Sequence, residues 1–279
     1  MQLIDSHIHF WNPTRLRYPW LDTTPQINKP YLPADLPSSG EGWEMVGLVF
    51  VEANPIPEQN FQEVSWVNTL ADDDQRIKGI VAYAALESNN FHAGLDVLQA
   101  HPLVKGVRRN IQGEANGFAT RKHFVKAVGV LPQYGFSFDL CVKYHQLAEA
   151  VQLVKACPDV AFVLDHIGKP NIAEGEIDLW RAHISQLAEL ENVHCKVSGM
   201  VTEADLDHWQ PEQLRPYVDH VLEVFTPARL MFGGDYPVLE MAHITYNDWV
   251  KVALELLKDL SPNEQHLVFY ENAQKFYRL

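Results

Sequence analysis

Three short stretches carry the residue types that metal or acid–base chemistry needs. Asp5-Ser6-His7-Ile8-His9 sets two imidazoles two residues apart. Val163-Leu164-Asp165-His166-Ile167-Gly168-Lys169-Pro170 adds a third. Met231-Phe232-Gly233-Gly234-Asp235-Tyr236-Pro237 places a carboxylate after two glycines. Alternate residues of an extended strand share a face, so Asp5, His7 and His9 are expected together with Ile8 opposite, and imidazoles about 7 Å apart can converge on one cation. Two structural histidines would give the same pair. Asp235 could ligate a metal, take a proton from water or do both, or merely cap a helix before Pro237. Asp165 and His166 alternate, so only one is expected to point inward, and His166 is the choice.

Cations follow the same pattern. Arg108 and Arg109, Lys143 and His145, and Lys196 all fall in or just after apolar runs. Such a rim would stabilise an anion or a developing oxyanion, although any one of them could be a surface ion pair. Adjacent arginines face opposite ways, so one of the pair can line a pocket. Glu52 ends an apolar run and needs a partner if it is buried.

The elements that must position these groups are regular. Eight short apolar runs read as strands buried on both faces: 1–6, 45–52, 77–86, 104–109, 136–142, 160–166, 193–198 and 230–235. Between them lie amphipathic stretches at 59–71, 91–99, 123–133, 145–156, 179–190 and 211–225, then 246–260 and a last one at 263–277. Ser261-Pro262-Asn263-Glu264 has the chemistry of a helix start. Eight strand–helix units predict a (β/α)8 TIM barrel as a single domain over 1–279, whose active site lies where the strands end. An open doubly wound sheet would want a glycine-rich phosphate turn after its first strand, and none is present. Residues 11–42 form a loop with six prolines, Trp11, Tyr18, Trp20 and Tyr31, expected to order as a lid over the barrel mouth.

With 22 basic against 36 acidic residues the formal net charge is −14, which argues against nucleic-acid or anionic-membrane partners. No apolar run approaches the ~18 residues of a membrane span, and no signal peptide is read, so the expected location is cytoplasmic. Cys141, Cys157 and Cys195 form no CxxC pair and are expected as buried free thiols.

Taken in order, Asp5 to Trp11, Gly106-Val107-Arg108, Val163 to Pro170, Cys195-Lys196-Val197-Ser198-Gly199 and Gly234 to Pro237 resemble the amidohydrolase superfamily. The likeness is greatest to its sugar-lactonase branch, which includes L-fuconolactonases and L-rhamnonolactonases. Residues 201–205, 214–217 and Asn272-Ala273 extend it over nearly the whole chain. The resemblance implies water attack on a lactone carbonyl, with Asp235 as general base. His7 and His9, with His166 or Asp235, would hold one divalent ion, zinc first among candidates; metal-free lactonases of the branch leave none as the alternative. Binuclear members carry a lysine on strand four and a histidine on strand five, and this chain has Arg108 and Arg109 at the first and no histidine within the second. Arg108 or Lys196 would stabilise the oxyanion. Trp11, Trp20 and Tyr236 would pack on the sugar, and Glu52, Lys143 and His145 would complete the substrate site. A decarboxylase of the superfamily and a non-catalytic ligand-binding barrel are the alternatives. The expected partner is a small-molecule lactone, and a homo-oligomer is compatible with the sequence.

Overall fold

The computed structural model describes all 279 residues. Eight parallel strands pair in chain order: β1 Gln2–Ile8, β2 Trp43–Val51, β3 Ile77–Tyr83, β4 Val104–Arg108, β5 Ser137–Leu140, β6 Phe162–Leu164, β7 Val193–Val197 and β8 Leu230–Phe232. A two-residue strand, Ser39–Gly40, pairs antiparallel with β2. Just past β8 the sheet closes on β1: His9 N–H donates to Tyr236 O at 2.8 Å, and Asp235 N–H to His7 O at 2.8 Å. The expected (β/α)8 barrel is therefore what forms.

Burial on both faces explains the continuous apolar runs. One side chain of each alternating pair meets the surrounding helices, and the other fills the barrel, where Ile4, Val49, Val81, Val163 and Met231 pack together. The C-terminal helix Asn272–Tyr277 completes this inner cluster with Ala273, Phe276 and Tyr277. The helix read at 123–133 is two pieces, Lys122–Gly129 and Leu131–Tyr134. The one read at 263–277 contains a π turn at Leu267–Glu271.

The proline-rich loop is ordered, as expected. Its prolines open 3-10 turns at Pro19–Thr23, Pro25–Ile27 and Pro33–Asp35, where a fixed φ suits the first position and the missing N–H costs nothing. Trp11 and Tyr31 pair backbone to backbone across the loop, and Trp20 Nε1–H donates to Ala53 O at 2.8 Å. The loop thus lies against the ends of β1 and β2. No helix is long and apolar enough to cross a membrane.

Candidate active site

A cavity of about 310 Å³ opens at the strand C-termini. Its floor holds His9, His166 and Asp235; its walls include Trp11, Trp20, Val238 and Met241; Asn54, Asn110, Gln112, Arg108 and Lys169 supply polar groups. His7 lies just beneath. Donor atoms of His7, His166 and Asp235 all fall within 4.8 Å of one another, and His9 Nε2 is 3.5 Å from Asp235 Oδ1.

Strand alternation does not deliver this arrangement by itself. β1 carries a register shift between Asp5 and Ile8. Asp5 therefore parts from His7 and His9, correcting the expectation of one shared face. Its carboxylate accepts from the N–H groups of His7 (2.8 Å) and Gly234 (2.9 Å) and from the Tyr246 hydroxyl (2.7 Å). The second correction concerns Asp165 and His166, both of which point inward. β6 stops at Leu164, and His166 turns into the left-handed region at φ 53°, so the two-residue period no longer applies. Asp235, at φ 52°, is held in the same way. Left-handed backbone at non-glycine residues costs energy and gathers at functional sites. Gly199, at φ +59°, gives these groups room: a Cβ there would lie 2.3 Å from His166 Nδ1 and 3.0 Å from Asp235 Oδ2.

The histidine tautomers follow from their neighbours. His9 Nδ1 is 2.7 Å from Val51 O, a pure acceptor, so it carries the proton and leaves Nε2 as a lone pair. His7 Nδ1 lies 3.3 Å from Asp165 Oδ1 and 3.1 Å from Lys196 Nζ. Lys196 can only donate to this nitrogen and Asp165 can only accept from it. When Lys196 donates, Nε2 carries the His7 proton and donates to His9 Nε2 at 3.2 Å; when the proton sits on Nδ1, His7 Nε2 is bare beside His9 Nε2. The two Nε2 atoms therefore converge closely enough to bind one cation together once His7 carries its proton on Nδ1. Burial pushes the His7 and His166 imidazoles well below their ordinary value and keeps both neutral, as ligation requires. Burial raises the Asp235 carboxyl; His166 and His9, wherever they bear a proton toward it, and the Lys169 ammonium lower it, the balance falling below the usual carboxylate range. Around the floor, buried Glu52, Asp139, Asp165 and Asp235 face buried Arg108 and Lys196, an excess of negative charge that suits a divalent cation.

The remaining candidates divide by depth. Arg108 lines the cavity but is committed to Glu52, through Nε to Oε1 (2.7 Å) and Nη2 to the carbonyl O (2.7 Å), and to Asp165 Oδ2 (3.1 Å). Glu52 is its buried counter-ion and lies outside the cavity lining. Arg109 turns away to Glu87 and Glu114. Lys196 is fully buried below the floor, bound to Asp139 and Asp165, too deep to meet a substrate carbonyl. Lys143 and His145 are exposed and line no part of the cavity. Tyr236 packs edge-on against Tyr31 and Tyr246 behind the wall. Lys169, Asn54, Asn110, Gln112 and Asp139 were not singled out from the sequence. Asp139 and Lys196 did leave a signal, since opposite charges inside two apolar strands must find each other.

A family model described as Amidohydrolase matches residues 4–279. The chain belongs to the amidohydrolase family. This amidohydrolase is 32% identical over 252 residues to an L-fucono-1,5-lactonase of Burkholderia multivorans, covering 86% of this chain and 83% of that protein. It is 28% identical over 281 residues to an L-fucono-1,5-lactonase of Burkholderia ambifaria, covering 99% of this chain and 95% of that protein. A crystal structure of a Burkholderia multivorans amidohydrolase with bound zinc is 29% identical and superimposes with a TM-score of 0.88, covering 100% of both chains.

Proposed function

We propose that the amidohydrolase is a lactonase that opens a neutral, polyhydroxylated sugar lactone by hydrolysis. The observation that carries this reading is the Asp235 carboxyl group at the cavity floor beside His7, His9 and His166. Indole faces of Trp11 and Trp20 suit the apolar faces of a sugar ring, and the amides of Asn54, Asn110 and Gln112 suit hydroxyl groups. A carboxylated lactone fits less well, because Arg108 is already paired, Lys143 is exposed and Lys169 Nζ sits 3.6 Å from Glu203. The names of the two Burkholderia relatives support the same substrate class.

In the reaction, water oxygen bonds to the lactone carbonyl carbon while Asp235 takes its proton. The tetrahedral centre then expels the ring oxygen, which recovers that proton from Asp235 and leaves a hydroxy acid. Arg108 N–H groups not used by Glu52 and Asp165, together with the Lys169 ammonium, border the cavity where negative charge develops. The converging ring nitrogens, neutral imidazoles and excess carboxylate charge fit one divalent ion held by His7, His9, His166 and Asp235. Such an ion, zinc first, would supply Lewis-acid polarisation and a more acidic water. A pH-indicator assay over a panel of sugar-acid lactones, run before and after chelation, tests the proposal. Asp235→Asn is expected to lower kcat by about 10²- to 10⁴-fold with the fold retained. Near-normal turnover by that variant would remove Asp235 as the base.

A further inference from the structure

A line of buried polar contacts runs from the C-terminal helix to the site, and the proposed chemistry does not use it. Tyr277 Oη donates to Asp139 Oδ2 at 2.8 Å. The Lys196 ammonium donates to that same oxygen and lies 3.0 Å from Asp165 Oδ1. Asp165 Oδ1 in turn lies 3.3 Å from His7 Nδ1, while its other oxygen accepts from Arg108 at 3.1 Å. His7, Asp139, Asp165, Lys196 and Tyr277 are all wholly buried. Stability alone does not account for such a line. An ammonium between two carboxylates inside a barrel carries a desolvation cost that a well-packed apolar set would avoid. Asp139 Oδ1 and Asp165 Oδ1 each lack a hydrogen-bond partner, which adds to the cost.

What the line does accomplish is local to one ring. His7 Nδ1 has an acceptor, Asp165, and a donor, Lys196, within reach, so its tautomer depends on where those two charges are held. Lys196 donating to Nδ1 favours a proton on Nε2; drawing Lys196 toward Asp139 leaves Asp165 as the acceptor that lets Nδ1 carry the proton and Nε2 face the site bare. We propose that Tyr277, Asp139 and Lys196 are positioning residues: they set the distances of Lys196 and Asp165 from His7 Nδ1, so that the ring can hold its proton there and present Nε2 as a lone pair beside His9. The C-terminal helix thereby becomes part of the site's support, although it lies at the opposite end of the barrel from the substrate. This inference rests on the reading above that His7 Nε2 faces the reaction centre.

Tyr277→Phe tests it with little change of shape, and Asp139→Asn is the second variant if the first fails to fold. Lys275→Ala, an exposed change on the same helix, is the control. Two measurements do not depend on turnover: zinc affinity by competition with a chromophoric chelator, and the ¹⁵N shifts of the His7 ring, identified by comparison with His7→Gln. The expected results for Tyr277→Phe are zinc affinity and kcat each lowered by about tenfold, KM within about twofold, and His7 moved from one tautomer to a mixture. Unchanged zinc affinity and unchanged His7 shifts in both variants would overturn the proposal, whatever happens to thermal stability. If the wild type hydrolyses no lactone, the lactonase reading fails, while the His7 shifts still decide the positioning role.

Discussion

Replacing Gly199 by alanine should disable the site while leaving the fold standing, and the two effects can be separated. The backbone there sits at φ +59°, which costs an L-residue about 1 kcal/mol. The added Cβ would also lie 2.3 Å from Nδ1 and 2.6 Å from Cγ of His166. Ordinary carbon contacts begin near ~3.5 Å, so the imidazole must retreat by about 1 Å. It cannot do so freely, because the ring is buried and shares a 2.9 Å hydrogen bond with Ser198 Oγ. A displacement of ~1 Å in a reacting constellation is worth about 100-fold in rate, or roughly 2.7 kcal/mol. Gly199→Ala is therefore expected to lose about 100-fold in kcat/KM and only about 1–3 kcal/mol in urea unfolding. Gly117 supplies the contrast: its φ is +87°, but a Cβ there meets nothing within 4 Å. Gly117→Ala should show the backbone cost of about 1 kcal/mol and keep its activity. A folded Gly199→Ala protein within threefold of wild-type kcat/KM would refute the argument that this glycine sets the His166 position.

Two further outcomes follow from side chains behind the cavity. Glu63 is buried against Glu52 and Ala53 N–H, and burial, reinforced by the Glu52 charge, pushes its carboxyl well above the ordinary value. A raised folded pKa contributes stability that is complete below the unfolded value and lost as pH rises through the folded one. Glu63→Gln should thus be neutral near pH 4 and stabilising by about 1–3 kcal/mol at pH 8, read by urea midpoints; equal or lower stability at pH 8 would refute it. Tyr31 Oη donates to Glu240 at 2.5 Å and ties the loop bearing Trp11 and Trp20 to the turn after β8. Tyr31→Phe should raise KM by about threefold or more, change kcat little and lower hydrogen-exchange protection at residues 18–31, at a cost of about 1 kcal/mol. Unchanged KM and protection would show that the latch does not hold the loop.

The fold was legible because its signal is energetic and repeated. Strands buried on both faces are apolar at most positions, and polar residues gather toward the ends where the site lies. His7, His9, His166 and Asp235 could be read as one site for that reason. What misled was the extension of strand rules past strand ends. Asp5 leaves its expected face at the register shift, and His166 leaves the period-two pattern in a left-handed turn, so Asp165 can point inward as well. Depth was equally hidden. Lys196 and Arg108 look alike as cations near strand ends, yet one is consumed below the floor and the other borders the cavity. Lys169, Asn54, Asn110 and Gln112 come from loops, where neither spacing nor hydropathy indicates direction.

One physical cause joins the proposed cofactor to the proposed substrate. Buried carboxylates at the floor outnumber the buried cations paired with them, and water is too scarce there to screen the difference. That imbalance would attract a divalent cation to the ring nitrogens of His7 and His9. It also opposes a second negative charge, so a lactone bearing its own carboxylate must overcome repulsion that a neutral lactone does not meet. The two parts stand or fall together in one comparison. Neutral lactones should show KM values nearly independent of ionic strength, whereas carboxylated analogues should bind weakly at low salt and improve as salt screens the floor. Tighter binding of the carboxylated analogue at low salt would mean that Lys169 and Arg108, and not the carboxylates, set the field in the cavity.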